Sequence, residues 1–383
     1  MSIDLKVNAM KYHIFYLEPY VLLDVCEGKA LLVNTLDNRK LLFDDKRIVD
    51  ILVRLEELRS ATILLSDNDL SGELGHLVAQ VREKYMGDLF EIDPSKGLPF
   101  QFPLFNSYKN LMKERLFNKD VNNITDVILE ECQDVTSFLN EDVLRFLDFF
   151  RGNQKVRFAI HVKKGVSIKG LKILLKYIGN KNQVSLLFDY KSYDDRWNDF
   201  VDNNLRLKAC VYPHIDTDIL AGLIARRTDF RYIFYISSLE DYEVAMGCIQ
   251  GQHLGNYEVI PYFNGENMDF LKENVFIGLD DLLGMKMDKK KFFANHFINT
   301  LSFGKIHITE TGIIYADPSE TPVGTVKDMP IHISNECLKS SSWIRTRLSI
   351  EPCRTCIFRT LCPPIGDLER TIGTYDLCFK RFE

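Results

Sequence analysis

Apolar positions change rhythm twice along this chain. Over residues 1–95, "KYHIFYL", "YVLLDVCEGKALLVNTL" and "RKLLFD" are aliphatic and aromatic runs broken at Glu27-Gly28 and Asp37-Asn38. That pattern predicts a small antiparallel meander. Asp44 or Asp45 then caps a helix with Ile48, Ile51, Leu52 and Leu55 at helical spacing. After "ATILLSD", Ser71 opens a second helix that carries Leu74, Leu77, Val78, Val81 and Tyr85 on one stripe and ends at Gly87. Short strands followed by amphipathic helices predict a small α+β, winged-helix-like domain. Residues 96–120 are predicted as a linker, because "DPSKGLPFQFPLF" holds three prolines and a glycine without a period.

From 121 to 303 the rhythm alternates between strand and helix. Candidate strands are "ITDVILEE", "KVRFAIHV", "QVSLLFDY", "RLKACVYP", "FRYIFYIS" and "NYEVIPYF". Between most of them lie "IKGLKILLKYI", "YDDRWNDFVDN", "DTDILAGLIARR" and "LEDYEVAMGCIQ", which read as helices. Such alternation calls for an α/β fold with parallel strands and right-handed crossovers. Six strands suit an open doubly wound sheet or a partial (βα)6 barrel, and periodicity does not separate the two. Near residue 304 the texture changes again: "FGKIHITETGIIYADPSETPVGTV" predicts a hairpin about Glu310-Thr311-Gly312, and the rest of 304–383 is turn-rich.

Composition is that of a folded protein, 46% hydrophobic and 27% charged. No apolar run approaches the roughly 20 residues of a membrane span. The start, "MSIDLKVNAMKYHIF", lacks a signal-peptide core, so the expected location is the cytoplasm and no membrane partner is expected. A net charge of −6 argues against nucleic acid as a partner, and the basic run "KMDKKKFF" reads as a solvated helix face.

Nine cysteines in a reducing compartment do not suggest a disulfide framework. Cys26, Cys132, Cys210 and Cys248 stand alone in sequence and read as small buried hydrophobes, and Cys337 as a spare or buried thiol. Cys353, Cys356, Cys362 and Cys378 differ, being spaced Cys-x2-Cys-x5-Cys-x15-Cys in a turn-rich tail. A Cys-x2-Cys turn lets two thiolates converge on one metal, two more soft donors complete a tetrahedral zinc site or an iron–sulfur cluster, and Pro363-Pro364 stiffens the loop.

The Cys-x2-Cys-x5-Cys segment, the later single Cys and the "TGIIYAD...PVGTV" hairpin resemble the SPASM extension of radical-SAM peptide-modifying enzymes. The tail, with "SSWIRTR", "PCRTCIFRTLCPPI" and "DLC", is more similar still to the pseudo-radical-SAM proteins of the GG-Bacteroidales peptide systems. The resemblance implies a partial barrel of radical-SAM type over 121–303 and a SPASM-like cluster domain over 304–383. It also implies that the small domain over 1–95 is a peptide-recognition element, binding a leader peptide on its sheet edge. The edge residues would be Arg39, Leu41 and Phe43, with Leu74, Leu77 and Val81 on the helix beneath.

Departures from the family pattern carry the functional expectation. In "ITDVILEECQDVTSFLN", Cys132 is alone, and Thr136 and Leu139 occupy the other positions of the catalytic Cys-x3-Cys-x2-Cys triad. No S-adenosylmethionine-binding cluster is therefore expected. Of two auxiliary ligand sets, one is lost, with Asp317 and Gly366 at its recognisable positions. The other keeps all four thiols, which implies one [4Fe–4S] cluster, with zinc as the alternative. The expected role is a non-catalytic scaffold that binds a precursor peptide or a radical-SAM peptide maturase. Two other readings stay open: a zinc-stapled structural protein, and an enzyme of different chemistry using His161, Asp189, His214 or Asp216. No Gly-rich phosphate loop, Gly-x-Ser-x-Gly elbow or His-Glu-x-x-His pair appears. Trp343, Arg345 and Arg347 are candidate contacts for an acidic partner, against a buried Trp and surface salt bridges.

Overall fold

The computed structural model describes residues 11–378, apart from positions 59, 71, 94–112, 115–116, 119–121, 133–134, 180–181, 194 and 196–204. The helix expected over "YDDRWNDFVDN", residue Ser71 and most of the 96–120 linker lie outside the described residues. Contacts divide the chain into two units. The first comprises Met1–Phe117, Gly278–Phe297 and Thr346–Pro363; the second comprises Asn118–Ile277, Ile298–Arg345 and Pro364–Glu383.

In the first unit the order is β1 (Tyr12–Leu17), β2 (Val21–Cys26), β3 (Lys29–Asn34), β4 (Lys40–Phe43), α1 (Lys46–Leu58), β5 (Thr62–Ser66), α2 (Glu73–Glu83) and β6 (Gly87–Ile92). The meander is β2-β3-β4, its first turn made by Glu27 and Gly28, both in the left-handed region that a two-residue hairpin requires. β1 departs from the predicted meander. It is the centre of a second antiparallel sheet, β5-β1-β6, because both of its edges find partners. This architecture, two three-stranded sheets with two helices, replaces the single winged-helix-like meander. α1 begins where Asp45 Oδ1 accepts the amides of Arg47 and Ile48, as its sequence predicts. Its buried Ile48, Val49, Ile51, Leu52 and Leu55 meet Phe15, Leu23, Leu32 and Ile63 from the strands and Leu77 and Val81 from α2. Burial of each such side chain contributes about 1.5–3 kcal/mol. α2 ends at Glu83, and Gly87 instead starts β6, where a Cβ would lie 2.0 Å from the Tyr16 carbonyl oxygen.

The second unit begins with β7 (Asp126–Cys132), α3 (Glu141–Asp148), β8 (Arg157–Val162), α4 (Ile168–Ile178), β9 (Gln183–Asp189), β10 (Leu205–Val211), α5 (Thr217–Arg226), β11 (Arg231–Ile236), α6 (Leu239–Gly251), β12 (Tyr257–Pro261) and α7 (Met268–Asn274). α8 (Leu279–Gly284) and α9 (Lys289–Phe297) belong to the first unit. The second resumes with β13 (Lys305–Ile308), β14 (Ile313–Tyr315), β15 (Gly324–Thr325), α10 (Pro330–Ser340) and α11 (Asp367–Ile372). Asn140, Ser167, Asp216 and Ser238 cap α3, α4, α5 and α6 by accepting the amide three residues on.

All these strands form one nine-stranded sheet in the order β12-β11-β10-β9-β8-β7-β13-β14-β15. β7 to β12 are parallel and strictly sequential, β13 joins β7 in parallel, and β14 and β15 are antiparallel additions. A doubly wound sheet reverses its strand order at a switch point. From β7 to β12 the order never reverses, so this stretch is singly wound, although β13 returns to the far side of β7, and the sheet is open rather than closed into a barrel. Right-handed crossovers in one direction put the helices on one face. That face carries Leu129, Ile160, Leu186, Ala209 and Phe234, packed with Phe146, Leu171, Leu174, Leu220 and Ile249 of the helices. Alternate residues face the other way and are mostly polar.

The contiguous unit expected over 304–383 is divided. β13 to β15 extend the large sheet, whereas Thr346–Pro363 belongs with the meander. Among the described residues, no helix is long and apolar enough to cross a membrane.

Candidate functional site

The terminal cysteine segment begins with a 3-10 turn over Cys353–Thr355, in which the Cys356 amide donates to the Cys353 carbonyl at 2.9 Å. A second turn brings the Cys362 amide onto the Phe358 carbonyl at 2.9 Å. Cys353, Cys356 and Cys362 are all buried, and none of the described cysteines is in a disulfide. Two guanidiniums serve this segment. Arg347 is buried, donates to the Pro363 carbonyl at 2.9 Å and reaches the Cys353 sulfur at 3.7 Å. Arg359 ties the segment to the meander: it donates to Asp24 Oδ1 at 2.9 Å, the Val25 carbonyl at 3.1 Å, the Arg354 carbonyl at 2.7 Å and Cys26 Sγ at 2.9 Å.

Cys26 is therefore not an isolated buried thiol. It sits beside the cysteine segment, its sulfur 3.8 Å from the Arg354 carbonyl. Burial pushes its pKa up, and the Arg359 charge offsets part of that. No local pattern ties position 26 to position 359; the link exists only through the β2 register. Asp24 and Cys26 share the face of the meander opposite the apolar core, with Leu22, Leu31 and Val33, all buried.

The donors are right in kind for a soft metal. Among the described residues, however, no group of three or more His, Cys, Asp or Glu side chains is gathered as metal ligands. Cys378 lies in the second unit, half-buried, where it bridges to Ile277. Cys337 is fully buried in that unit's core; burial, then Glu320, push its pKa up to about 12.

The expected peptide edge, β4, is the outer strand of its sheet. The Asn34 amide donates to the Arg39 carbonyl, so Arg39, Leu41 and Phe43 direct their backbone toward β3, and Lys40 and Leu42 direct theirs outward. The side chains named from sequence are placed otherwise. Arg39 binds Asp37 and the Glu83 carbonyl, capping α2; Leu41 and Phe43 pack on the core; Leu74, Leu77 and Val81 are buried inside it. An added strand would meet Leu42, 45% exposed, and backbone. Lys40 is engaged, donating to the carbonyls of Leu283 at 2.7 Å and Met285 at 2.8 Å.

Trp343, Arg345 and Arg347 each have partners within the chain. Trp343 is fully buried with Nε1 on the Lys305 carbonyl at 2.7 Å, Arg345 is paired with Glu320 at 2.8 Å, and Arg347 is committed as above.

At the carboxyl ends of the parallel strands, one carboxylate bridges two imidazoles. Glu130 Oε1 meets His307 Nδ1 at 2.5 Å, and Oε2 lies 3.6 Å from His161 Nδ1. These residues come from β7, β13 and β8, on the helix-free face. His161 also borders a cavity of about 640 Å³ with Asp189, Lys191, Cys210, Tyr212 and Tyr235. Tyr212 and Tyr235 stack at 4.8 Å, and burial, then Asp189, raise the Cys210 pKa to about 11. Asp189 accepts the Lys191 amide, and Asp216 caps α5 by accepting the Ile219 amide. His214 holds a left-handed backbone, φ 64°, and lines a separate cavity with Ser237 and Asn267. Glu130 and His307 were missed from sequence; their signal was a polar side chain alternating with apolar ones in "VILEE" and "KIHI".

Comparison with family models, curated proteins and solved structures returns no match for this chain.

Proposed function

We propose that this chain is a catalytically degenerate radical-SAM-like protein that assists maturation of a ribosomally made peptide. It acts as a scaffold for the precursor peptide or for a radical-SAM maturase. The observation that carries the reading is the large sheet: six parallel strands in strict sequence order, open, with a hairpin strand laid against the first of them. A partial barrel followed by its extension takes that order, and a doubly wound nucleotide-binding sheet does not. The absence of a Cys-x3-Cys-x2-Cys triad from the sequence supports a non-catalytic role. The terminal cysteine set is proposed to hold one auxiliary-type iron–sulfur cluster. Cys353, Cys356, Cys362 and Cys378 would supply its thiolates.

The test is anaerobic co-purification of the chain with a candidate precursor peptide and maturase, with iron and sulfide assayed on the product. The expected outcome is a stable complex, iron with sulfide bound, and no reductive cleavage of S-adenosylmethionine by the isolated chain. Cleavage by the isolated chain would overturn the scaffold reading, and zinc in place of iron would overturn the cluster.

A further inference from the structure

At the amino ends of the parallel strands, on the helix-free face, lies another cavity, of about 540 Å³. Its lining is cationic: Arg157, Arg206, Lys208, Arg231 and Lys305 face only Asp126 and Asp229. Four of the lining charges are already matched. Arg157 pairs with Asp126 at 2.7 Å, Arg231 with Glu258 at 2.7 Å, and Asp229 with Arg227 at 2.8 Å. Both anions of the lining are thereby used. Arg206, Lys208 and Lys305 are left with no side-chain ion pair or hydrogen bond among the described residues.

Lys208 stands directly beside Arg231 in the parallel register, and like charges on adjacent strands repel. Lys208 is half-buried, and burial, then Arg231, hold its pKa below the usual lysine value. A concentration of unmatched cations is also unexpected in a chain of net charge −6. The neutral members Gln183, Ser185 and Asn256 likewise have no side-chain partner among the described residues, and Ser185 lies beside Arg206 in register. Amide and hydroxyl donors around fixed cations suit an oxyanion. The one aromatic residue in the lining, Phe158, is buried in the helix-side core and offers no face for stacking a base.

We infer that this cavity binds a small multivalent oxyanion, a phosphate ester or a polycarboxylate, held mainly by Arg206, Lys208 and Lys305. The volume is within the range of small-ligand pockets. The inference does not rest on the scaffold role, since it concerns the opposite end of the strands from Glu130 and His161.

Calorimetric titration of the full chain tests it, with inorganic pyrophosphate in one arm and citrate in the other. The expected result is saturable one-to-one binding of at least one of them. Arg206→Gln and Lys208→Met are each expected to weaken it by about tenfold, the worth of one charge-assisted contact. Binding of pyrophosphate alone identifies a phosphate ester, and of citrate alone a polycarboxylate. Folding of the variants is checked by circular dichroism, and Lys208→Met, which removes a repulsion, is expected to melt no lower than the parent. No binding of either anion at about 1 mM, a free energy near 4 kcal/mol, would overturn the inference. Binding that both variants leave unchanged would overturn it equally.

Discussion

Arg359→Met removes a side chain that ties the cysteine segment to the meander. The Arg359 and Asp24 side chains are 17% and 5% exposed, so little solvent screening applies. Breaking a buried ion pair by deleting one partner costs about 3–5 kcal/mol, because the other charge stays buried. The lower end applies here: Asp24 Oδ2 and Arg359 Nε are both buried without a hydrogen-bond partner, so the pair is not a full two-pronged fork. The expected loss is thus about 3 kcal/mol, on the order of 100-fold in the opening equilibrium of the β2–β3 hairpin. Hydrogen exchange reads it locally, as faster exchange of the Leu22 to Cys26 amides. Asp24→Asn with Arg359→Met removes both charges and should cost clearly less than the sum of the single changes. Additive losses, or an Arg359→Met effect under about 1 kcal/mol, would refute the claim that this pair holds the segment down.

Asn182 is fully buried and donates to the carbonyls of Phe150, Asn153 and Val156 while accepting the Gly152 amide. Asn182→Ala should destabilise the second unit by about 3 kcal/mol in denaturant titration, and Asn182→Asp by at least as much, since a carboxylate would face three carbonyl oxygens. Gly87→Ala should cost about 2 kcal/mol or more, because its Cβ meets the Tyr16 backbone; a neutral melting shift would show that β1 and β6 separate freely. Burial alone would raise the Asp317 pKa, but hydrogen bonds from Ser319 and the Arg370 charge outweigh it and hold the carboxyl below its ordinary 3.8. A depressed carboxylate stabilises the fold above its unfolded pKa, and that contribution disappears as pH falls through the folded value. The melting temperature of Asp317→Asn should therefore lie below the parent's at pH 6 and converge with it below pH 4; a constant gap would contradict this.

How much of this was legible in the sequence depends on range. The βα alternation is a local property, and the six strands and the helices over 168–178, 216–227 and 239–250 fall close to where periodicity put them. The hairpin about Gly312 was visible for the same reason, a residue with φ 77° between alternating runs. Strand order was not visible, and it was order that removed the doubly wound alternative. β1 was misassigned because "KYHIFYL" looks the same whether it joins the meander or the centre of another sheet. Leu74, Leu77 and Val81 were correctly seen as one stripe, but a stripe does not say whether it meets a peptide or the protein's own core. Cys26 and Arg359 lie too far apart in sequence for any pattern to connect them, as do Glu130 and His307.

Both units are stitched from distant stretches of chain, and this bears on how the protein is made. The face of the β2–β3 hairpin that carries Asp24 and Cys26, with Leu22, Leu31 and Val33 beside them, emerges from the ribosome long before Arg359 exists to bind it. At about 5–20 residues per second, some 300 residues of further synthesis leave that greasy surface unprotected for roughly 15–60 s. Nascent chains stalled or cut short of Arg359 should be held by chaperones or cleared by proteases, so the chain's yield in cells is set as much by translation as by its finished stability.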